Sequence, residues 1–515
     1  MTRARATRPA AAAPAATVPA AAAPAAAAPA AALAATSASA PSPQADDPSP
    51  ADRTAAPDPV PAPPDAIAGR RPSVVLLFGN AVEHNSRAMR MATSRAGAGC
   101  DVTLVGRASP GLPHRERGAG YQVIRVAAPR GPRWLPGPHL PESDAVMPRA
   151  SATPRATPGS GGAARSTPLG RAPFRAALRE GPGRVLQALR YLFVARAWAD
   201  AIARAVPRAD AWQADGLVML PVALALARRC GGRVVYDSLE IHVESGRFAR
   251  LPGPWRRLLA ARERRWARAA DAVITVSDAY AGVISRRLDV VPAVVMNCPP
   301  APTAPAPGEP GGPPRPRLFH DLLALPATTP IVLYHGYLFP HRGIERLFDA
   351  TPLVPGAHFV VMGFGPRFEA YRAAAGALPD ADRVHVIPGV APGDLVDWVA
   401  SADVAAMPIE GNTLNHRLTT PNKLFEALAA GVPVVASDLP GMAAIVRETG
   451  AGLLCDPADP ADVARAIRGI LDAPDAERAT YGARALVAAR ATYNWERQAT
   501  TYLGVMRSLG AVADE

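Results

Sequence analysis

Short hydrophobic runs alternate with helix-length segments along most of the chain. Each run holds about five or six residues, most of them Val, Ile, Leu or Ala. Continuous apolar runs of this length between helices are typical of parallel strands buried on both faces. The pattern therefore predicts an α/β protein with two doubly wound domains. The predicted strands are 74–79, 101–106, 233–237, 272–277 and 293–297 in the first domain, and 331–336, 358–363, 384–389, 404–409, 432–437 and 452–456 in the second.

Three segments rich in proline, glycine or alanine interrupt this alternation. Residues 1–69 contain Ala and Pro throughout and predict a disordered arm without a core of its own. The Pro/Gly-rich stretch 127–175 is predicted to be an insertion in the first domain, and 297–328 an interdomain linker. The remaining boundaries follow: a first domain at 70–296, a second domain at 329–480, and C-terminal helices at 481–515.

The net formal charge of +12 indicates attraction to anions such as nucleic acid, anionic lipid or phosphate-bearing substrates. Arginines concentrate in 171–198 and 254–270, which both predict helices with apolar stripes. Such helices could rest on an anionic membrane surface, although a solvated helix face explains the same pattern. We do not expect nucleic-acid binding, because the sequence has no aromatic stacking platform, zinc finger or recognition-helix motif.

The cysteines and the longest apolar stretch bear on localisation. The four cysteines, Cys100, Cys230, Cys298 and Cys455, lie far apart in the sequence. Their spacing predicts neither a disulfide framework nor a zinc site and favours a reducing cytoplasm. The apolar stretch 216–227 contains a proline and is shorter than the roughly 18 residues that a membrane span needs. We therefore expect a cytoplasmic protein, with peripheral contact to the inner face of the membrane as an option.

The segment after the predicted strand 404–409 contains Lys423, the only lysine among 515 residues. Pro421 predicts the start of a helix there, with Thr420 as its N-cap. Doubly wound sheets bind ligands beyond the carboxyl ends of their strands, so Lys423 is expected at the ligand edge. The free N–H groups and the dipole of a first helical turn favour an anion, and an ammonium group binds phosphate oxygens.

Glu426 lies three residues after Lys423 and is predicted to share its helix face. A carboxylate is well suited to accept hydrogen bonds from sugar hydroxyls, so the pair resembles a clamp for a nucleotide. The alternative is a surface pair that contributes a few tenths of a kcal/mol to helix stability.

A second phosphate candidate follows the strand 331–336. Gly336 permits a close backbone approach, and Arg342 can bind phosphate through its planar guanidinium group. The glycine turn that contains Gly363 and Gly365 follows the next strand and is predicted at the same sheet edge. The Asp380-Ala381-Asp382 triplet has the form of a metal-binding motif, but its context predicts a polar turn.

These motifs together resemble the retaining family 4 glycosyltransferases, which have the GT-B fold of two Rossmann-like domains. NHRLTTPNKLFEALAAGVPVVASDLPGM, HGYLFPHRGIERL, GFGP and GLLCDPADPADVARAI are similar to the nucleotide-sugar half of that family. VEHNSRAMRMATSRAGAGCDVTLVG, VVYDSLEIHVESGRF and RAADAVITVSDAYAGVISRRL are similar to its acceptor half. The resemblance covers about 72–510 apart from the insertion, and it implies that the last helices cross back to the first domain.

The resemblance also implies roles for individual residues. Lys423 and Arg342 would stabilise the diphosphate of the leaving group without a metal or a cofactor, and Glu426 would bind the ribose. The other residues that it implies for the donor are Gly336, Gly363, Gly365 and Asn422. On the acceptor side it points to Gly79, Asn80 and Asp237.

Several positions depart from the family pattern. Leu418 stands where the first glutamate of a Glu-x7-Glu pair is usual, and Tyr337 stands where an arginine is usual. In the first domain, Gln213-Ala214-Asp215-Gly216 and Leu239 replace the frequent histidine motifs. Catalytic duty on the acceptor side could therefore shift to Glu240 or His242, although a lone histidine in a polar loop is more often solvated.

The expected function is transfer of a sugar, with retention, from a nucleoside diphosphate donor to a glycan or lipid-linked acceptor. Such a reaction would serve the synthesis of a cell-surface polysaccharide or glycoconjugate. Two alternatives remain open: a non-catalytic nucleotide-sugar-binding relative that acts in a complex, and a sugar-nucleotide epimerase.

Overall fold

The computed structural model describes residues 70–83, 85–127, 194–249 and 251–512, which belong to one compact unit. Three predictions lie wholly or mostly outside these residues. They are the arm at 1–69, the insertion at 127–175 and the basic helix at 171–198, of which only residues 194–198 are described.

The first domain contains an eight-stranded sheet in the order β3-β4-β2-β1-β5-β6-β7-β8. All of its neighbouring strands pair in parallel except β3, which is antiparallel to β4. Its strands are β1 (Ser73–Leu77), β2 (Asp101–Arg107), β3 (Arg115–Arg117), β4 (Tyr121–Val126), β5 (Ala211–Asp215), β6 (Arg233–Ser238), β7 (Ala272–Thr275) and β8 (Ala293–Val294). Its described helices are α1 (Ser86–Gly97), α2 (194–205), α3 (Gly216–Cys230), α4 (Gly246–Ala249), α5 (Gly253–Ala267) and α6 (Asp278–Leu288).

The second domain contains a six-stranded parallel sheet in the order β11-β10-β9-β12-β13-β14. Its strands are β9 (Ile331–Tyr337), β10 (His358–Phe364), β11 (Val384–Pro388), β12 (Val404–Met407), β13 (Val434–Ser437) and β14 (Gly452–Cys455). The helices after the first domain are α7 (Leu318–Leu323), α8 (Ile344–Ala350), α9 (Phe368–Ala375), α10 (Leu395–Ala400), α11 (Leu414–Leu418), α12 (Asn422–Ala429), α13 (Pro440–Thr449), α14 (Pro460–Leu471), α15 (Asp475–Ala491) and α16 (Trp495–Ser508).

The predicted fold class, two doubly wound Rossmann-like domains, is confirmed. Every strand predicted from an apolar run is present within a few residues of its expected bounds. Three strands, β3, β4 and β5, were not predicted. In β5 the buried polar residue Gln213 interrupts the apolar pattern, and β3 is a short, exposed edge strand with the sequence RER.

Helix α16 packs on the first domain although it is the last helix of the chain. Trp495, Tyr502 and Met506 belong to the same hydrophobic cluster as Met91 of α1. The indole N–H of Trp495 donates a hydrogen bond to Ser94 Oγ at 2.9 Å. Helix α15 instead contributes to a core cluster of the second domain, so the chain crosses between the domains near residues 492–494.

The apolar stretch 216–227 forms most of α3, a largely buried helix that contains Pro221. None of the described helices combines the length and the hydropathy that a transmembrane span requires. All four cysteines are free thiols, and Cys100, Cys298 and Cys455 are buried.

Candidate functional site

A cleft of about 600 Å³ lies between the two sheets and is lined by both domains. The second domain contributes six residues predicted for the donor or its diphosphate: Gly336, Arg342, Gly363, Asn422, Lys423 and Glu426. Asn80 and Glu240 of the first domain also line the cleft. The structure thus brings together predicted residues that are as far apart in the sequence as Asn80 and Glu426.

Helix α12 positions Lys423 in this cleft. The helix begins at Asn422, one residue later than its predicted first residue, and Pro421 is its N-cap with no side-chain hydrogen bond. The prediction that Thr420 caps the helix is therefore wrong. The Thr420 hydroxyl lines the cleft instead, where it is buried and has no partner among the described residues. Leu424, Phe425 and Leu428 are buried on this helix.

The amine of Lys423 is buried and has no hydrogen-bond partner within the described part of the chain. It lies 3.3 Å from the ring centroid of Tyr334, and the residue is only 8% exposed. Burial, together with the nearby charge of Arg342, lowers the Lys423 pKa well below its usual value, while Glu426 acts in the opposite direction. An unpaired buried amine is costly unless a ligand binds it.

Arg342 supplies a second basic group with an unsatisfied nitrogen. It lies in the turn between β9 and α8, and its buried Nε has no partner among the residues described. Two basic side chains therefore face one part of the cleft with hydrogen-bonding capacity left over. Such an arrangement suits a ligand with several acceptor oxygens, such as a diphosphate.

Glu426 contacts a residue that the sequence analysis did not single out. The Nε2 atom of His335 lies 2.9 Å from Glu426 Oε2, and His335 is 2% exposed. His335 precedes Gly336 in β9, so a histidine directly before a strand-end glycine was the available signal. The contact fixes one carboxylate oxygen of Glu426 at the cleft wall.

The glycines at this edge allow the backbone and the lysine to approach closely. Gly336 has φ of +117°, and a Cβ atom there would lie 3.7 Å from the Lys423 amine. A Cβ atom at Gly363 would lie 1.9 Å from the carbonyl oxygen of Gly336, so no larger residue fits. Gly365 is not among the residues that line the cleft.

On the first-domain side the predicted residues divide into two groups. Asn80 and Glu240 line the cleft, whereas Gly79, Asp237 and His242 do not. Asp237 is 1% exposed, and its two oxygens each accept a hydrogen bond at 2.9 Å from Arg87. Both oxygens of the carboxylate that we predicted for acceptor binding are therefore engaged in a buried ion pair.

His242 is engaged inside the first domain. Its Nε2 atom accepts a hydrogen bond from the Leu217 N–H at 3.1 Å, which rules out the solvated-loop interpretation. This hydrogen bond places the ring at the start of α3, beside Gly216. Of the two acceptor-side candidates for catalysis, the geometry therefore favours Glu240, whose Oε2 accepts a hydrogen bond from the Ser245 hydroxyl.

The positions that depart from the family pattern have defined surroundings. Leu418 packs against the hydrophobic cluster of the first domain. Tyr337 lines the cleft and contacts the ring of Phe364 with a centroid distance of 5.8 Å. Asp215 has a pKa raised to about 8, because burial and the neighbouring carboxylate of Asp237 disfavour its charged form.

No group of three or more His, Cys, Asp or Glu side chains in the described residues could hold a metal ion. The Asp380-Ala381-Asp382 triplet lies at the start of β11, where residues Ala381–Arg383 form a short 3-10 helix. Asp380 pairs with Arg383 at 3.0 Å, as expected for a polar turn.

Comparison with known proteins gives the second domain a family likeness. Residues 329–473 match the model described as "Glycosyl transferases group 1". The chain is 32% identical over 190 residues to D-inositol 3-phosphate glycosyltransferase of Xylanimonas cellulosilytica, which is 36% of this chain and 44% of that protein. It is 33% identical over 184 residues to GDP-mannose-dependent alpha-(1-6)-phosphatidylinositol monomannoside mannosyltransferase of Mycobacterium tuberculosis, with coverages of 35% and 47%. The chain thus spans less than half the length of these two curated relatives.

The whole architecture also has solved counterparts. Sucrose-phosphate synthase of Thermosynechococcus elongatus superposes with a TM-score of 0.58 at 19% identity, covering 86% of this chain and all of that one. At this identity the likeness establishes the fold alone. The fold is that of the GT-B class, with two facing Rossmann-like domains, and its second domain is similar to group 1 glycosyl transferase domains.

Proposed function

We propose that this protein is a retaining glycosyltransferase that uses a nucleoside diphosphate sugar as its donor. The observation that carries the proposal is the buried amine of Lys423, which has no hydrogen-bond partner in the described ranges and lies close to Arg342 in a cleft between two domains. The match of the second domain to group 1 glycosyl transferases supports the same activity. Retention of configuration rests on the resemblance of the second-domain motifs to family 4.

The chemistry requires negative charge to be stabilised on the leaving group. The bond between the anomeric carbon and the β-phosphate oxygen breaks, and its electron pair leaves with the nucleoside diphosphate. Lys423, Arg342 and the N-terminal turn of α12 would stabilise that charge in a largely buried site. The acceptor hydroxyl then forms the new glycosidic bond, and Glu240 is the carboxylate that we propose to receive its proton.

The donor would lie along the second domain. Glu426, held by His335, would accept hydrogen bonds from the ribose. Gly336 and Gly363 would let the backbone approach the donor, and Asn422 would contribute at the start of α12. None of these roles requires a metal ion or a further cofactor, and we propose that the protein uses neither.

We propose a glycan or lipid-linked acceptor in cell-surface polysaccharide or glycoconjugate synthesis, handled in the cytoplasm at the membrane. Helix α5 forms where the basic stretch 254–270 predicted a helix, and its arginines include Arg256, Arg257, Arg262 and Arg265, all exposed. Leu258, 47% exposed, lies on the same helix. These residues suit an anionic lipid surface. One relative is named for a phosphatidylinositol monomannoside, a lipid-linked glycan, which supports this class of acceptor. The other is named for D-inositol 3-phosphate, which carries no lipid.

The test is release of nucleoside diphosphate from a panel of nucleotide sugars, with and without candidate acceptors. We expect release that depends on acceptor, and a fall of about 100-fold or more in Lys423→Ala, because one charge-stabilising group is lost. Arg372→Ala is the matched control, since Arg372 is exposed and forms an ion pair with Glu369 of the same helix, α9, away from the cleft-lining residues. Equal rates in the two variants would contradict the proposal.

The same assay separates the alternatives. Donor binding without turnover across the acceptor panel would favour a non-catalytic relative that acts in a complex. Conversion of the donor sugar in the absence of acceptor would favour an epimerase. Leu418, Leu239 and Gly216, which depart from the family pattern, are the observations that keep the first alternative in view.

A further inference from the structure

Helix α11 belongs to the second domain but packs on the first. It contacts α13 of the second domain. Its Leu414 and Leu418 side chains pack against the hydrophobic cluster of the first domain. Asn415, between them in sequence, is only 8% exposed. The short segment before α12 therefore makes a direct bridge between the domains.

Asn415 makes the polar contacts of this bridge. Its Oδ1 atom accepts a hydrogen bond from the Ile241 N–H at 3.0 Å. The hydroxyl of Tyr280 lies 2.9 Å from the same Oδ1 atom and 2.9 Å from the carbonyl oxygen of Asn415. Ile241 and Tyr280 belong to the first domain and are buried. One amide side chain thus satisfies buried polar groups from two different elements of the opposite domain.

The hydrogen bonds of Asn415 connect the acceptor side of the cleft with its donor side. Ile241 directly follows Glu240, the cleft-lining carboxylate of the acceptor side. On the other side, Asn415 is followed by Thr419, Thr420 and Asn422, which line the cleft and lead to Lys423. Asn415 and Tyr280 also line the cleft themselves. A displacement at Asn415 would therefore move the Glu240 loop relative to the diphosphate site while leaving in place the three side chains that we propose for the donor, Lys423, Arg342 and Glu426.

We propose that Asn415 is a positioning residue that holds the Glu240 loop of the first domain opposite the diphosphate site of the second. The inference rests on the proposed function, because it assigns the two sides to acceptor and donor. Leu414 and Leu418 supply the apolar part of the same bridge. Leu418 consequently has a role in packing at the place where a carboxylate is usual in similar sequences.

Steady-state kinetics of Asn415→Ala test this inference. Productive alignment of two reactants is sensitive to displacements of about 1 Å, so we expect kcat/KM for the acceptor to fall about 10- to 100-fold. KM for the donor should stay within about threefold of the wild type, because Lys423, Arg342 and Glu426 are unchanged. Tyr280→Phe should cause a smaller loss in the same parameter, and the double variant should lose less than the two single losses multiplied.

Asn412→Ala is the matched control. Asn412 is exposed, and among the described residues its side chain hydrogen-bonds to His416 of its own segment, at 2.6 Å. We expect its kinetics to equal those of the wild type. If the kinetic parameters for the donor and for the acceptor changed by the same factor in Asn415→Ala, the result would indicate general destabilisation and overturn the inference. So would identical behaviour of the two asparagine variants.

Hydrogen exchange tests the bridge without relying on activity. In Asn415→Ala the Ile241 amide loses its acceptor, so exchange in a peptide spanning 239–245 should accelerate while β9 remains protected. Unchanged exchange in that peptide would overturn the bridge. A wild-type protein that transfers no sugar would instead contradict the proposed function, and this result is seen before any variant is compared.

Discussion

The single lysine of the chain has an environment in which arginine would serve less well. The other 55 basic residues are arginines, whose charge persists under almost any conditions. Burial and the nearby charge of Arg342 disfavour the charged form of Lys423 until an anion binds. A lysine can respond by losing its proton in the empty site and regaining it when a diphosphate binds.

This environment predicts that nucleotide binding takes up a proton. The pKa of Lys423 is lowered in the free protein, and a bound diphosphate raises it again. At a pH between those two values, binding is accompanied by proton uptake, and affinity falls as pH rises through the interval. Titration calorimetry of nucleoside diphosphate at pH 8 to 9, in buffers of different ionisation enthalpy, measures the uptake. That pH lies above the phosphate pKa of about 6.

Lys423→Met is the control for this measurement, because it keeps an unbranched side chain and removes the titrating amine. The variant should bind more weakly and take up no proton. Equal proton uptake by the variant and the wild type would assign the proton to another group.

The lowered pKa of Lys423 also affects stability. Without a ligand, the free energy of unfolding decreases as pH falls below the usual lysine pKa, because the unfolded chain binds the proton more readily than the folded one.

The sequence predicted those site residues that a local motif reveals. Lys423 and Glu426 share one helix turn, and Arg342 follows a strand end, so spacing alone placed them at one edge. His335 contacts Glu426 across 91 residues, and Asn415 contacts Ile241 across 174. The local sequence does not show which residues pair at such separations, although the place of His335 directly before Gly336 was a signal for that residue itself. The buried ion pair of Asp237 was not predicted for the same reason, because its partner Arg87 lies 150 residues away along the chain.

At the scale of elements, apolar runs located the strands that are buried on both faces. Strand β5 was not predicted because the polar residue Gln213 lies within it. Gln213 is 2% exposed and accepts hydrogen bonds from Arg95 and Tyr502. A buried polar residue of this kind is stable only through partners that the local sequence does not show. The bounds of α12 differ by one residue from the prediction because Pro421, with extended backbone angles, serves as the cap.

Helix α11 provides a prediction about its unusual leucine. If Leu418 is a packing residue, Leu418→Glu should place a carboxylate against the apolar cluster of the first domain. We expect a loss of about 2–4 kcal/mol in the free energy of unfolding and no gain in transfer rate. Urea denaturation and the nucleoside diphosphate assay measure the two quantities.

Leu322→Glu is the matched control for the leucine variant, because Leu322 is 55% exposed on α7. Its stability should change by less than about 0.5 kcal/mol. A rise in transfer rate in Leu418→Glu would show that the side chain at this position acts on the substrate, and would contradict its assignment as a packing residue.

At the scale of the whole molecule, the last helix completes the first domain. Tyr502 of α16 is fully buried in that domain, and its hydroxyl donates a hydrogen bond to Gln213 Oε1 at 2.7 Å. Arg95 Nη2 donates to the same oxygen at 2.9 Å, and the guanidinium carbon lies 4.9 Å from the Tyr502 ring centroid. Arg95 is fully buried with two nitrogens unpartnered among the described residues, so the aromatic face is one of its few compensations.

Removal of that ring should therefore destabilise the first domain selectively. Tyr502→Ala is expected to cost about 3–5 kcal/mol of the free energy of unfolding, whereas Tyr502→Phe loses only a hydrogen bond, about 1–2 kcal/mol. Val487→Ala, at a 64% exposed position of α15, should leave stability nearly unchanged. Because Lys423, Arg342 and Glu426 all belong to the second domain, donor affinity measured below the unfolding transition should persist in Tyr502→Ala. Donor binding lost in step with first-domain unfolding would show that the second domain cannot hold its ligand without the first.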